Sequence, residues 1–200
     1  MDQMKPIPLH IPKTGGGSLS KILGIGDIGH RRKVRNMRAF IPTEMYLFGF
    51  LRCPLDRAVS TYHFLVQAPD MSLQAGPKRR GLHVAHLFLP AFVSDVNEFW
   101  SKATMPMFGP IHVMQPQRLW VTGGPIEKFF NAYDFGQFDS EIDRLMVTLG
   151  REREPLKRKI HATKRGTVAE ELDSESVSRI KQLYKDDFRL LDRYGIPHGG

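Results

Sequence analysis

A lysine followed by three consecutive glycines stands out in HIPKTGGGSLSKIL, residues 10–23. The short apolar stretch PIPL precedes this segment, and a stretch with helical character follows it. Three adjacent glycines cost backbone entropy and add no side chain for packing, so an ordinary strand-to-helix connection avoids them. N–H groups in a turn that opens a helix converge on one point, which suits an anion. The segment predicts a phosphate-sized anion site, with a glycine turn without ligand as the alternative.

The residue types in this turn match what an anion needs. A lysine brings a formal charge, hydroxyl groups donate hydrogen bonds, and small residues let a phosphate approach the main chain. The order of the residues excludes a Walker A loop, in which the lysine follows the glycines. The candidate anion ligands are Lys13, Thr14, Gly15, Gly16, Gly17 and Ser18.

A second stretch, FLRCPLDRAVSTYHFL at residues 50–65, repeats the order of strand end, turn and helix. Arg52 falls where the apolar strand stops, and Ser60 lies two turns into the following helix. An arginine fork with a hydroxyl group is suited to a second phosphate. Arg57 has two interpretations, a further phosphate ligand or a surface residue paired with Asp56. Because parallel sheets bind ligands at the carboxyl ends of their strands, both stretches are predicted at that edge.

Alternating strands and helices must position these residues, and this alternation predicts an α/β fold in one domain over residues 1–200. Its core would be a central parallel sheet flanked by helices. Strands are predicted at residues 6–11 and 46–51, and a loop at 68–82. Helices are predicted at residues 18–23, 30–40, 56–66, 83–89, 94–103, 112–122, 139–149 and 174–194, the last with Ser174 as its N-cap.

The ordered pair of stretches resembles the superfamily of sulfotransferases that use 3′-phosphoadenosine 5′-phosphosulfate (PAPS). PKTGGGSL is similar to the family's 5′-phosphosulfate loop, and LRCPLDRAVSTYHF is similar to its 3′-phosphate motif. HVMQPQRLW and the closing LDSESVSRIKQLYKDDFRLLDRYG also resemble family segments, so the resemblance covers nearly the whole chain. It implies a P-loop-like sulfotransferase fold with PAPS as sulfuryl donor, PAP as product and no metal.

The resemblance also implies roles for individual residues. Lys13 would contact the 5′-phosphosulfate and its bridging oxygen. The remaining implied nucleotide ligands are Thr14, Gly15, Gly16, Gly17 and Ser18 at the 5′ end, Arg52 and Ser60 at the 3′-phosphate, and Lys164 and Arg165 on a loop that closes over the nucleotide. Two positions depart from the family pattern: Gly17 replaces the usual threonine, and Gln137 stands where relatives often have a glutamate.

A general base is needed to take the proton of the acceptor hydroxyl. His30, in GDIGHRRK, resembles the catalytic histidine of the hexuronic acid 2-O-sulfotransferase branch. A histidine with its ordinary pKa of about 6.5 is largely neutral at pH 7 and accepts a proton. A solvated histidine in a basic turn is the alternative, with Asp27 and Glu44 as the other candidate bases.

The acceptor side of the site is predicted less directly. Arg31 and Arg32 belong to a basic run, which is either a solvated face or part of a groove for an anionic acceptor. His112 is either an acceptor-lining residue or a structural one. The acceptor, its regiochemistry and the oligomeric state stay open.

The composition sets broad limits. A net charge of +8 favours anionic partners such as nucleotides or sulfated molecules. One cysteine, Cys53, excludes an intrachain disulfide and is typical of a reducing compartment. The chain has neither a signal-peptide core nor a long apolar run, so we expect a cytoplasmic protein without a membrane segment if the chain is full length.

The predicted function is transfer of the sulfuryl group from PAPS to a hydroxyl of a carbohydrate or similar alcohol. A kinase-like nucleotide enzyme is one alternative, although a Walker A loop and an evident acidic magnesium pair are lacking. A non-catalytic basic protein that binds nucleotide or nucleic acid is the other, although no zinc-finger or RNA-recognition signature supports nucleic acid. Gly17 also leaves open a sulfotransferase-like protein that binds nucleotide without turnover.

Overall fold

The computed structural model describes residues 4–25, 34, 42, 44–67, 95–103, 112–152 and 168–198. The predicted loop at 68–82 and helix at 83–89 lie outside these ranges, as does the predicted helix at 30–40 apart from Val34. In the described part of the chain, no helix combines the length and the apolar character needed to cross a membrane.

The chain divides into two compact units. We call residues 1–53, 117–162 and 189–200 the sheet unit, and residues 54–116 and 163–188 the helical unit. Lys13 and Arg52 both belong to the sheet unit, whereas Ser60 belongs to the helical unit.

The described residues form strands, α-helices and single turns of 3₁₀-helix. The strands are β1 (Lys5–Pro8), β2 (Met45–Leu51) and β3 (Asn131–Asp134). The α-helices are α1 (Gly16–Ile22), α2 (Pro54–Gln67), α3 (Val96–Lys102), α4 (Arg118–Val121), α5 (Phe138–Leu149), α6 (Val168–Glu171), α7 (Ser174–Leu183) and α8 (Lys185–Arg193). Single turns of 3₁₀-helix cover His112–Met114, Glu127–Phe129 and Phe135–Gln137.

The sheet unit is built on three parallel strands in the order β1-β2-β3. Pro6 pairs with Tyr46, and Phe50 pairs with Tyr133. The predicted parallel sheet packed against helices is therefore confirmed within the described residues. The third strand was not predicted, because NAYD is short and half polar and gives no clear period-two signal.

Both faces of the sheet are covered, as the burial of the central strand requires. Leu47 and Leu51 of β2 pack on one face, and Phe48 and Phe50 on the other. The first face meets buried residues from α4 and the end of α8, including Trp120, Val121, Leu190 and Leu191. The second face meets the apolar sides of α1 and α5, including Leu19, Ile22, Ile142 and Leu145.

The helical unit packs α2 against α3, α6 and α7. The imidazole of His63 on α2 lies 2.5 Å from the carboxylate of Glu171 on α6. The side-chain amide of Asn97 on α3 donates to the Glu171 carbonyl at 3.1 Å. The Oδ1 atom of Asn97 accepts the N–H of Asp173 at 2.9 Å. These polar contacts join α2, α3 and the start of α7.

The prediction of one helix over residues 174–194 was wrong. Asp173, not Ser174, is the N-cap, because its extended backbone lets the carboxylate accept the Ser176 N–H at 2.7 Å. The helix is interrupted at Tyr184, where the backbone leaves helical geometry. The buried hydroxyl of Tyr184 donates to the Met114 carbonyl at 2.7 Å, a tertiary contact that local helix propensity does not register.

The predicted helix at residues 112–122 was also wrong as one element. A 3₁₀ turn over His112–Met114 and the short helix α4 replace it. Pro116 between them lacks the N–H that a continuous helix requires.

Candidate anion site at the ends of the strands

The segment after β1 turns sharply between Ile11 and Gly16. Lys13 has φ of 67° and Gly15 has φ of 79°, so both lie in the left-handed region. The Thr14 hydroxyl donates to the Ile11 carbonyl at 2.8 Å. This bond stabilises the turn and commits the hydroxyl proton of Thr14, which sequence analysis had assigned to an anion. A left-handed lysine costs roughly 1–2 kcal/mol, which the surrounding contacts must offset.

Two of the three glycines are required by packing within the sheet unit. A Cβ atom added at Gly15 would lie 2.7 Å from Cε2 of Phe135, and one at Gly16 would lie 1.9 Å from Cδ2 of His10. Sequence analysis explained these glycines by room for a phosphate. The structure adds a second reason, because the rings of Phe135 and His10 occupy the space where side chains would stand. His10 carried no sequence signal beyond its place before the turn.

We expect Gly15→Ala to lower the free energy of unfolding by about 2–5 kcal/mol, from left-handed strain plus overpacking against Phe135. Gly24→Ala is the matched control, because Gly24 has a similar φ of 62° and nothing within 4 Å of an added Cβ. The control is expected to lose about 1–2 kcal/mol from strain alone. Urea unfolding of both variants measures the difference, and equal losses would show that the ring contact adds nothing.

Arg52 joins the two sequence stretches. It follows the last residue of β2, is 4% exposed, and its Nη1 donates to the Lys13 carbonyl at 2.8 Å. Its guanidinium carbon lies 4.5 Å from the centre of the Phe135 ring, in cation–π geometry. Lys13, Arg52 and Phe135 follow β1, β2 and β3, so the carboxyl ends of all three parallel strands supply residues to one cluster.

Gln117 is a part of this cluster that sequence analysis did not assign. It is fully buried, its Oε1 accepts the Arg52 main-chain N–H at 3.0 Å, and its Nε2 donates to the Arg52 carbonyl at 2.7 Å. In the sequence, Gln117 appears only within the segment HVMQPQRLW. No sequence signal marks the contact, since the partners are 65 positions apart.

The end of β3 also brings residues that sequence analysis missed. The Asp134 carboxylate accepts the Gly136 N–H at 2.7 Å and starts the 3₁₀ turn that carries Phe135. Burial raises the pKa of Asp134, and the nearby charge of Glu141 acts in the same direction, while the Gly136 hydrogen bond opposes both. The turn fixes the ring that stacks on Arg52.

The helical unit holds two residues of the second stretch. Ser60 is buried on α2. Arg57 is 1% exposed, and its Nη2 donates to the carbonyls of Val113 at 2.9 Å and Gln115 at 2.7 Å. The interpretation of Arg57 as a surface residue is therefore wrong. Its guanidinium instead holds the main chain of the segment that follows His112.

Several predicted site residues are not located by the structure. His30, Arg31, Arg32, Lys164 and Arg165 lie outside the described residues, and His112 is described only as the first residue of a 3₁₀ turn. Ser18 is half-buried in the first turn of α1. Among the described ranges, no group of three or more His, Cys, Asp or Glu residues is arranged to hold a metal ion.

Comparison of the chain with protein-family models, with curated proteins and with solved structures gives no match.

Proposed function

We propose that this chain is a PAPS-dependent sulfotransferase acting on a hydroxyl of a carbohydrate or similar alcohol. The observation that carries the proposal is the hydrogen bond from the Arg52 guanidinium to the Lys13 carbonyl at 2.8 Å. It links the lysine–glycine turn to the arginine of the second stretch, the two segments on which the family resemblance depends. Their position at the carboxyl ends of neighbouring parallel strands is where such sheets bind ligands.

The charge and burial of Arg52 suit it to a phosphate. The planar guanidinium donates to the Lys13 carbonyl, and its fork of N–H donors matches the geometry of a phosphate. A charge in a desolvated environment makes stronger hydrogen bonds to an anion than the same charge in water. The net charge of +8 adds a long-range attraction for a nucleotide that carries several phosphates.

In the proposed reaction PAPS supplies the sulfuryl group and leaves as PAP. Sulfuryl transfer, like phosphoryl transfer, has a loose in-line transition state, so positioning and charge stabilisation provide most of the rate. Lys13 would stabilise the negative charge that grows on the departing phosphate oxygen. Arg52 would hold the 3′-phosphate. His30 is the proposed base that removes the proton of the acceptor hydroxyl.

Calorimetric titration with PAP, 5′-AMP and ATP tests the proposal. We expect PAP to bind at least about tenfold more tightly than 5′-AMP, because only PAP carries the 3′-phosphate that Arg52 would contact. Absence of PAP binding by the folded protein would contradict the proposal. Steeply salt-dependent binding of random DNA without a response to PAP would favour the nucleic-acid alternative.

A further inference from the structure

The Gln117 side chain bonds to both main-chain polar groups of Arg52, its N–H and its carbonyl. The β2–β3 pairing ends with Leu51 opposite Asp134, so the main chain of Arg52 lies one position beyond that ladder. The carboxamide of Gln117 accepts from the Arg52 N–H at 3.0 Å and donates to its carbonyl at 2.7 Å. One side chain therefore makes the two hydrogen bonds that a neighbouring strand would make.

The main chain of Gln117 is held in place by the helix that follows it. Gln117 is the residue before α4, and its carbonyl accepts the N–H of Trp120 at 2.9 Å. Trp120 and Val121 of that helix are fully buried in the core cluster that also contains Leu51. The hydrophobic core therefore anchors the helix that follows Gln117, and the Gln117 side chain links this anchored main chain to the main chain of Arg52.

We infer that Gln117 is a positioning residue for anion binding by Arg52. By fixing the main chain of Arg52 at two points, it directs the guanidinium toward the Lys13 carbonyl and the face of Phe135. This inference rests on the proposed function, since the anion is taken to be the 3′-phosphate of PAP. A guanidinium that is free to move away from this position pays an ordering cost on binding, which lowers affinity.

The test compares Gln117→Met with Asn131→Leu. Both variants replace a side-chain amide by an apolar side chain of similar size. Both also remove hydrogen bonds between that amide and main-chain groups of the sheet unit. Asn131 donates to the Leu47 carbonyl at 3.0 Å and to the Phe129 carbonyl at 3.0 Å, away from Arg52. PAP affinity by calorimetry and melting temperature are measured for wild type and both variants.

We expect Gln117→Met to weaken PAP binding by about tenfold or more, and Asn131→Leu to change it by no more than about twofold. Gln117→Asn, which keeps the amide but is one methylene too short to make both bonds, serves if the methionine variant does not fold, and is also expected to weaken PAP binding. Equal effects of the Gln117 and Asn131 variants on PAP binding would overturn the positioning role. Failure of the wild type to bind PAP would overturn the proposed function and this role with it, and is seen before any variant is made.

Discussion

Arg52→Ala is expected to weaken PAP binding by at least about a hundredfold, because two charge-assisted hydrogen bonds to a phosphate contribute about 3–6 kcal/mol together. The buried guanidinium also bonds to the Lys13 carbonyl, so its removal loosens the lysine–glycine turn at the same time. The effect should therefore exceed that of losing one phosphate contact. Calorimetric titration of the purified variant with PAP measures it, with circular dichroism to show that the variant is folded.

Arg193→Ala is the matched control for this prediction. Arg193 belongs to the sheet unit, has a side chain 60% exposed, and pairs with Glu127 at 2.7 Å. Arg193→Ala removes the same formal charge as Arg52→Ala. Its effect on stability should be small, because an exposed ion pair contributes only about 0–1 kcal/mol. PAP affinity is expected to change little. Equal losses in the two variants would indicate general charge attraction, and unchanged affinity in Arg52→Ala would end the assignment of Arg52 to the 3′-phosphate.

Arg57→Met is expected to lower the free energy of unfolding by about 3 kcal/mol or more. The substitution leaves the buried carbonyl of Val113 and the half-buried carbonyl of Gln115 without the guanidinium that now donates to both. A buried unsatisfied acceptor costs about 1–3 kcal/mol. The neighbouring Tyr184 hydroxyl donates to the Met114 carbonyl, and burial raises the pKa of this phenol. Chemical unfolding in urea measures the loss.

Arg179→Met provides the comparison within the helical unit. Arg179 is half-buried. Its Nη2 donates to one main-chain carbonyl, that of Ala103, at 3.0 Å, and its Nη1 donates to the side-chain oxygen of Gln182 at 3.1 Å. We expect a loss of about 1–2 kcal/mol, because one buried carbonyl loses its donor where Arg57→Met takes the donor from two carbonyls. An Arg57 variant as stable as the Arg179 variant would show that the carbonyl contacts of Arg57 are replaced by water or by local rearrangement.

Local sequence patterns predicted the bounds of helices and strands well where nearby residues decide where an element ends. The helix predicted at residues 139–149 differs from α5 by one residue, because its apolar spacing is regular and Gly150 ends it with φ of 65°. The strand predicted at 46–51 likewise differs from β2 by one residue, since a run of large apolar residues ends at Arg52 and Pro54. These signals lie within a few positions of the element that they define.

In the candidate site, too, features that depend on residue type were predicted from the sequence, and contacts between distant residues were not. The lysine–glycine turn and the arginine at a strand end were identified from residue type and order alone, because their chemistry is carried by the residues themselves. The roles of Gly15 and Gly16 in packing were not, since Phe135 and His10 reach them only in the folded chain. The surface interpretation of Arg57 was wrong because an arginine beside an aspartate in a helix is ordinarily exposed, and its carbonyl partners lie 56 and 58 positions away in the chain.

The sequence by itself determined an alternation of strands and helices, the parallel sheet and the two residues at its carboxyl edge that are suited to anions. Hydrophobic periodicity, glycine and proline affect the structure of only a few neighbouring residues, so their effects can be predicted from the sequence. The tertiary structure alone decided which main-chain groups Gln117 and Arg57 satisfy, across separations of 65 and 56 positions. Such hydrogen bonds form because packing of the core brings buried donors and acceptors from distant parts of the chain together. No local sequence pattern indicates which of them will be adjacent.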